Sequence, residues 1–269
     1  SNTFAKKPTH ESEILLLLLM NDSLVIKSAA NKKITAADVQ LQSSVQQFVV
    51  DYLDEHAEML EGIKQHNSAR FKIIQTILVK RGIPAELMYL AVVESKLKNN
   101  ASSGAGAAGI WQLMPATART LGLQVNGKTD ERRHTHQSTA AAAKYLNELY
   151  NMFDDWLLVV AAYNCGAGNV QKAIKKSGSR EFWKMQRYLP GETRAHVKRF
   201  IATHFYYEEK GSLVTLTKTE RIKYLASLKQ SVNPETEKKQ EENPVPFKIH
   251  FNWIAILHEE GELILMARK

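Results

Sequence analysis

The stretch "PAELMYLAVVESKLK", residues 84–98, decides how this chain folds and also raises the question of what it does. Leu87, Leu90 and Ala91 fall at i, i+3 and i+4, the spacing of one face of an amphipathic helix, and Pro84 suits the first helical position. The next place on that face, i+7, is Glu94. A carboxylate turned toward a packed side must be satisfied there or kept protonated. On these residues alone two readings stand open: a structural ion pair with a lysine or arginine, or a working acid.

The helical period extends outward on both sides. From Ser44, the residues Val45, Phe48, Val49, Tyr52, Leu53, His56, Met59, Leu60 and Ile63 make one continuous face. A second helix from about Ser68 carries Phe71, Ile74, Ile77 and Leu78 and stops at Gly82. After Lys98, "NNASSGAGAAG" reads as a flexible small-residue loop. "PATARTLG" reads as a short helix with proline at its start and glycine at its end. A longer helix is expected from about Ser138 to Met152, with Tyr145, Leu146 and Leu149 inward. Asp154 or Asp155 caps the apolar helix "WLLVVAAYN", which gives way to "CGAGN". A short helix around Glu181–Arg187 and a long one from Pro190 to about Lys210 complete the series.

The ends differ in character. Residues 1–43 mix short β-like pieces with turns and read as an N-terminal arm. The run "ILLLLLM" at 14–20 is too short to span a bilayer and follows "ESE" rather than basic residues, so it reads as a buried strand or helix segment. Any signal peptide is taken to be absent from this sequence. Beyond Gly211 a short segment leads to the charged, proline-bounded linker "NPETEKKQEENPVP". The tail "FKIHFNWIAILHEEGELILMARK" reads as a small C-terminal β-hairpin turning at "HEEGE". The expected organisation is thus an arm over 1–43, a mainly α domain over 44–210 and an extension over 211–269.

Bulk properties narrow the function. The 269 residues carry a formal net charge of +8, which suits an anionic polymer or membrane surface. No basic run interleaved with aromatics points to nucleic acid. The one cysteine, Cys165, excludes an intramolecular disulfide or a multi-cysteine metal site. As a nucleophile it would need a histidine base that no motif supplies. "HTH" at 134–136 has histidines at i and i+2 without partnering carboxylates, so it reads as a surface loop and no metal is expected.

Three further stretches combine glycine turns with tyrosine, asparagine and glutamine, the composition of a polar groove: "GIWQLMPATA" from Gly109, "AAYNCGAGNV" from Ala161 and "YLPGETRAHV" from Tyr188. Within them Trp111 reads equally as a sugar-stacking platform or a core tryptophan. Taken in order, "ESKL", "GAAGIWQLMPATA", "AYNCGAGNV" and "LPGETRAHVKRF" resemble the motifs of the family 1 lytic transglycosylases, nearest to the D-type membrane-bound branch. The resemblance covers roughly residues 44–210.

That resemblance implies a lysozyme-like helical domain that cleaves the β-1,4 bond between N-acetylmuramic acid and N-acetylglucosamine without water, leaving 1,6-anhydro ends. Glu94 matches the family's sole catalytic acid/base. The residue reading agrees with it, because a carboxyl on an apolar face resists ionisation and can donate a proton, then take one back. Ser95, Gln112, Met114, Tyr163, Asn164 and Tyr188 are carried over as substrate-binding positions, and Glu192 reads as structural. No metal or organic cofactor is expected. Glycan strands of peptidoglycan are the expected partner, nucleic acid is not, and the place of action is the bacterial periplasm or envelope. Two positions depart from the family pattern: Cys165 stands where alanine is usual, and His196 where a tyrosine is common. The rival readings are a lysozyme-type hydrolase on the same scaffold and an idle peptidoglycan-binding protein.

Overall fold

The computed structural model describes residues 39–232 and the backbone of three short strands beyond them. The arm before residue 39, with its apolar run at 14–20, lies outside the described residues. So do the linker at 233–247 and the turn expected at 258–262. Residues Asp38–Arg221 form one compact unit. Its helices are α1 (Ser43–His66), α2 (Ser68–Lys80), α3 (Met88–Ser95), α4 (Pro115–Thr120), α5 (Thr135–Phe153), α6 (Trp156–Cys165), α7 (Ala167–Ser177), α8 (Phe182–Met185) and α9 (Gly191–Glu208). A further helix, α10 (Lys218–Val232), begins in this unit and runs past its end.

The fold is mainly helical and centred on α6. Every residue from Trp156 to Ala162 is buried, so this helix has no solvent face and its neighbours wrap it on all sides. α9 packs against α1, α3 and α6, while α5 lies between α2 and α6. No helix among the described residues is long and apolar enough to cross a membrane.

Asp155 is the N-cap of α6. Its Oδ1 accepts hydrogen bonds from the backbone N–H groups of Leu157 at 2.9 Å and Leu158 at 3.1 Å. Its Oδ2 accepts from the backbone N–H of Lys218 at 2.6 Å, which ties the start of α10 to the start of α6. Burial pushes the carboxyl up to about 6, outweighing these three N–H donors. A carboxyl raised above its ordinary value contributes stability that is complete below about pH 4 and is lost as pH rises through about 6. Asp155→Asn is expected to flatten that part of the pH–stability profile. Asp155→Ala is expected to cost about 2–3 kcal/mol in urea denaturation, by removing the cap and stranding the Lys218 N–H.

Four expectations need correction. The helix carrying Glu94 opens with a 3-10 turn, Ala85–Leu87, and ends at Ser95 rather than running to Lys98. Lys96 (φ 54°) and Leu97 (φ 58°) are both left-handed, which costs roughly 1–2 kcal/mol per residue. The turn drives Leu97 fully into the core, worth about 1.5–3 kcal/mol, and its carbonyl accepts from Arg70 at 2.8 Å. Next, "HTH" is not a loop: Thr135 and His136 open α5. Helix α7 was not anticipated, because two glycines at its start hide the apolar pair Val170 and Ala173 that it buries. Helix α10 likewise occupies what reads in sequence as a short connecting segment.

In the C-terminal unit, Lys248–Ile249, Trp253–Leu257 and Leu263–Ala267 are β1, β2 and β3. They pair antiparallel in the order β1-β2-β3, with Trp253 opposite Ala267 and Leu257 opposite Leu263.

Candidate active site

Glu94 sits in the last turn of α3, on the same face as Leu87, Leu90 and Ala91, which are fully buried. Its side chain retains 14% exposure. The carboxyl is not locked to a lysine or arginine. Its partner is His196 of α9, whose side chain is 4% exposed and whose Nε2 lies 3.3 Å from Glu94 Oε1. Tyr163 of α6 is also close by: its hydroxyl is pushed well above the ordinary phenol range, first by burial and then by the charge of Glu94.

The neighbouring Ser95 does not point into open space. Its buried hydroxyl donates to the carbonyls of Ile110 at 2.9 Å and Ala91 at 3.2 Å, docking the "GIWQLM" segment onto the end of α3. That segment is held from a second direction by Arg132, which sequence reading missed. The buried guanidinium donates to the carbonyls of Gly106 at 2.7 Å and Leu113 at 2.9 Å. Its other nitrogens make a two-point pair with Asp130, both at 2.8 Å, and this pairing draws the Asp130 carboxyl below its usual range. Arg133 adds a bond to the carbonyl of Ala101 at 3.2 Å. The small-residue loop is therefore a framed structure rather than a flexible tether.

Gln112 adopts a left-handed backbone (φ 45°), and its amide donates to the carbonyl of Gly109 at 2.8 Å. Met114 is 42% exposed, a large apolar side chain left in solvent. Trp111 is fully buried, and its indole N–H donates to Thr139 Oγ1 at 2.9 Å, so it is a core residue and not a stacking platform. Its backbone carbonyl accepts from the Tyr163 hydroxyl at 2.7 Å, which links α6 to the loop. The Tyr163 ring lies 5.4 Å from that of Tyr145. Asn164 accepts from the Thr193 hydroxyl at 2.7 Å, which joins α6 to the start of α9.

Ser95, Gln112 and Tyr163 are thus bonded to the backbone of the 109–111 segment, while Glu94 and Asn164 meet His196 and Thr193 of α9. Tyr188 stands apart from that network: it is exposed, with the Arg187 guanidinium 4.9 Å from its ring centre. Glu192 is exposed and paired with Arg199. Cys165 is half-buried, and burial pushes its thiol up, away from the thiolate a nucleophile requires. Among the described residues no group of three or more potential ligands could hold a metal ion.

Two clefts carry positive charge. One, of about 750 Å³, is lined by Trp183, Lys184, Arg187 and Arg194 among others. The other, of about 550 Å³, is lined by Arg70, Lys96, Lys98 and Asn99 and follows directly in sequence from Glu94, which is not itself part of its wall.

Comparison with known proteins bears on this arrangement. Residues 72–186 match the family described as the transglycosylase SLT domain. The chain is 47% identical over 128 residues to membrane-bound lytic murein transglycosylase D of Escherichia coli K12, an alignment covering 46% of this chain and 28% of that protein. It is 40% identical over 86 residues to peptidoglycan transglycosylase gp16 of Escherichia phage T7, covering 31% of this chain and 6% of the other. The chain therefore spans only a minor part of the length of these relatives. Among solved structures, the 70-kDa soluble lytic transglycosylase in complex with bulgecin A aligns over 82% of this chain and 40% of its own, with a TM-score of 0.51 at 20% identity. That likeness shows a helical fold shared with the aligned part of that structure.

Proposed function

We propose that the protein, whose residues 72–186 match the transglycosylase SLT domain, is a peptidoglycan lytic transglycosylase in which Glu94 acts as acid and then as base. The observation that carries the reading is the near-burial of the Glu94 carboxyl beside Tyr163 and His196, with 14% of its side chain still exposed. In the first step the protonated carboxyl donates to the glycosidic oxygen as the bond to C1 of muramic acid breaks. In the second, the carboxylate takes the proton of the C6 hydroxyl as that oxygen bonds to C1, and no water is consumed. The muramyl N-acetyl group steadies the positive charge between the steps, so a second carboxylate is unnecessary. Glu192, exposed and paired with Arg199, is a structural residue in this scheme.

Ser95 and Gln112 shape the loop wall, Met114 and Tyr188 offer exposed surface to sugar rings, and Tyr163 with Asn164 face the acetamido group. The proposed organisation is an arm over 1–43, a catalytic domain over 44–210 and an extension over 211–269. Glycan strands are the substrate and the net charge of +8 suits their acidic stem peptides. The likeness to murein transglycosylases supports a place of action in the bacterial envelope, with a peripheral membrane contact as part of the proposal.

Mass spectrometry of digested sacculi tests the reaction. The expected products are 1,6-anhydro-muropeptides, 18 Da lighter than their hydrated counterparts because no water has been added. Reducing muramic ends would instead mark a hydrolase.

A further inference from the structure

His196 reaches Glu94 from a separate helix, and both side chains are almost closed to solvent. The Nε2 atom of His196 is buried and has no hydrogen-bond partner of good geometry, a costly state for a buried ring nitrogen. The acceptor within reach is Glu94 Oε1 at 3.3 Å. The ring is held on a helix whose neighbouring positions, Thr193, Val197 and Phe200, are themselves buried, so it has little freedom to turn away.

We infer that His196 is a positioning residue for Glu94, its Nε2–H donating to Oε1 so that Oε2 alone carries the travelling proton. A free carboxyl can rotate and present either oxygen. With Oε1 tied to the imidazole, the other oxygen is the one left to meet both the glycosidic oxygen and the C6 hydroxyl. Anchoring of this kind acts on the chemical step and leaves sugar binding unchanged. The inference rests on the transglycosylase reading of Glu94.

The test compares His196→Phe, which fills the space without a donor, with His196→Gln, which keeps an N–H donor. For the phenylalanine variant, kcat for release of anhydro ends is expected to fall roughly 10- to 100-fold with KM within about twofold of wild type. The glutamine variant is expected to recover most of that loss. Wild-type kcat in the phenylalanine variant, or equal impairment of both variants, would overturn the inference. A second measurement stands independent of turnover and of variant folding: the ¹⁵N shift of His196 Nε2 in the wild-type protein and in Glu94→Gln. A clear change supports the pairing, and an identical shift overturns it. If wild-type protein releases no anhydro ends, the functional reading fails, while the ¹⁵N comparison still decides whether the two side chains are bonded.

Discussion

Glu94→Gln is expected to reduce release of 1,6-anhydro ends from purified sacculi by about 10³-fold or more, because one carboxyl serves both proton transfers and the amide can perform neither. Sacculus binding should persist, since glutamine keeps the volume and one oxygen for His196. The urea midpoint should stay close to wild type, because the substitution keeps the side chain's volume and opens no cavity. Pull-down on sacculi and soluble-fragment release, measured on the same preparations, separate the two effects. Activity within tenfold of wild type would move the catalytic role to another residue. A wild-type protein that binds murein but releases no fragments would instead favour the idle scaffold.

The second large effect is expected on folding. Gly109 has φ 78°, and a Cβ placed on it would stand 1.8 Å from the carbonyl oxygen of Arg132 and 2.6 Å from its carbonyl carbon. Both are backbone atoms, so no rotamer change relieves the overlap. Arg132 cannot withdraw without releasing the bonds that hold Gly106 and Leu113. Gly109→Ala is therefore expected to cost about 3 kcal/mol or more, combining the left-handed penalty with displacement of a buried, bonded arginine. Its own carbonyl is the acceptor for the Gln112 side chain, so the groove wall should be lost with it. Gly104→Ala is the control: a Cβ there meets nothing within 4 Å, and its urea midpoint should match wild type. An unchanged midpoint for Gly109→Ala would mean that the close approach to Arg132 is not a feature of the folded protein in solution.

The loop from 99 to 113 shows where sequence reading ran out. Its alanines, glycines and serines have no period and no strong propensity, so in isolation they describe a tether. Its order comes from Arg132 and Arg133, side chains that lie beyond the next helix and reach back to its carbonyls. Helix α7 was hidden for a related reason. Glycines at its first positions mimic a turn, and only burial of Val170 and Ala173 against neighbouring helices makes the segment helical. Both failures involve contacts between residues that no local window brings together.

What the amino-acid order determined by itself was local. The spacing of Leu87, Leu90, Ala91 and Glu94 put the carboxyl on a packed face, and aspartate before an apolar run marked an N-cap at Asp154 or Asp155, of which the structure uses Asp155, because helical periodicity and capping act over a few residues. What only the tertiary structure decided was the company that carboxyl keeps. Packing of α9 across α3 brought His196 rather than a lysine or arginine to Glu94, and the same packing around α6 sent Trp111 into the core. Such pairings depend on how whole helices cross, which is settled by the fit of many side chains at once and leaves no trace in any single stretch of sequence.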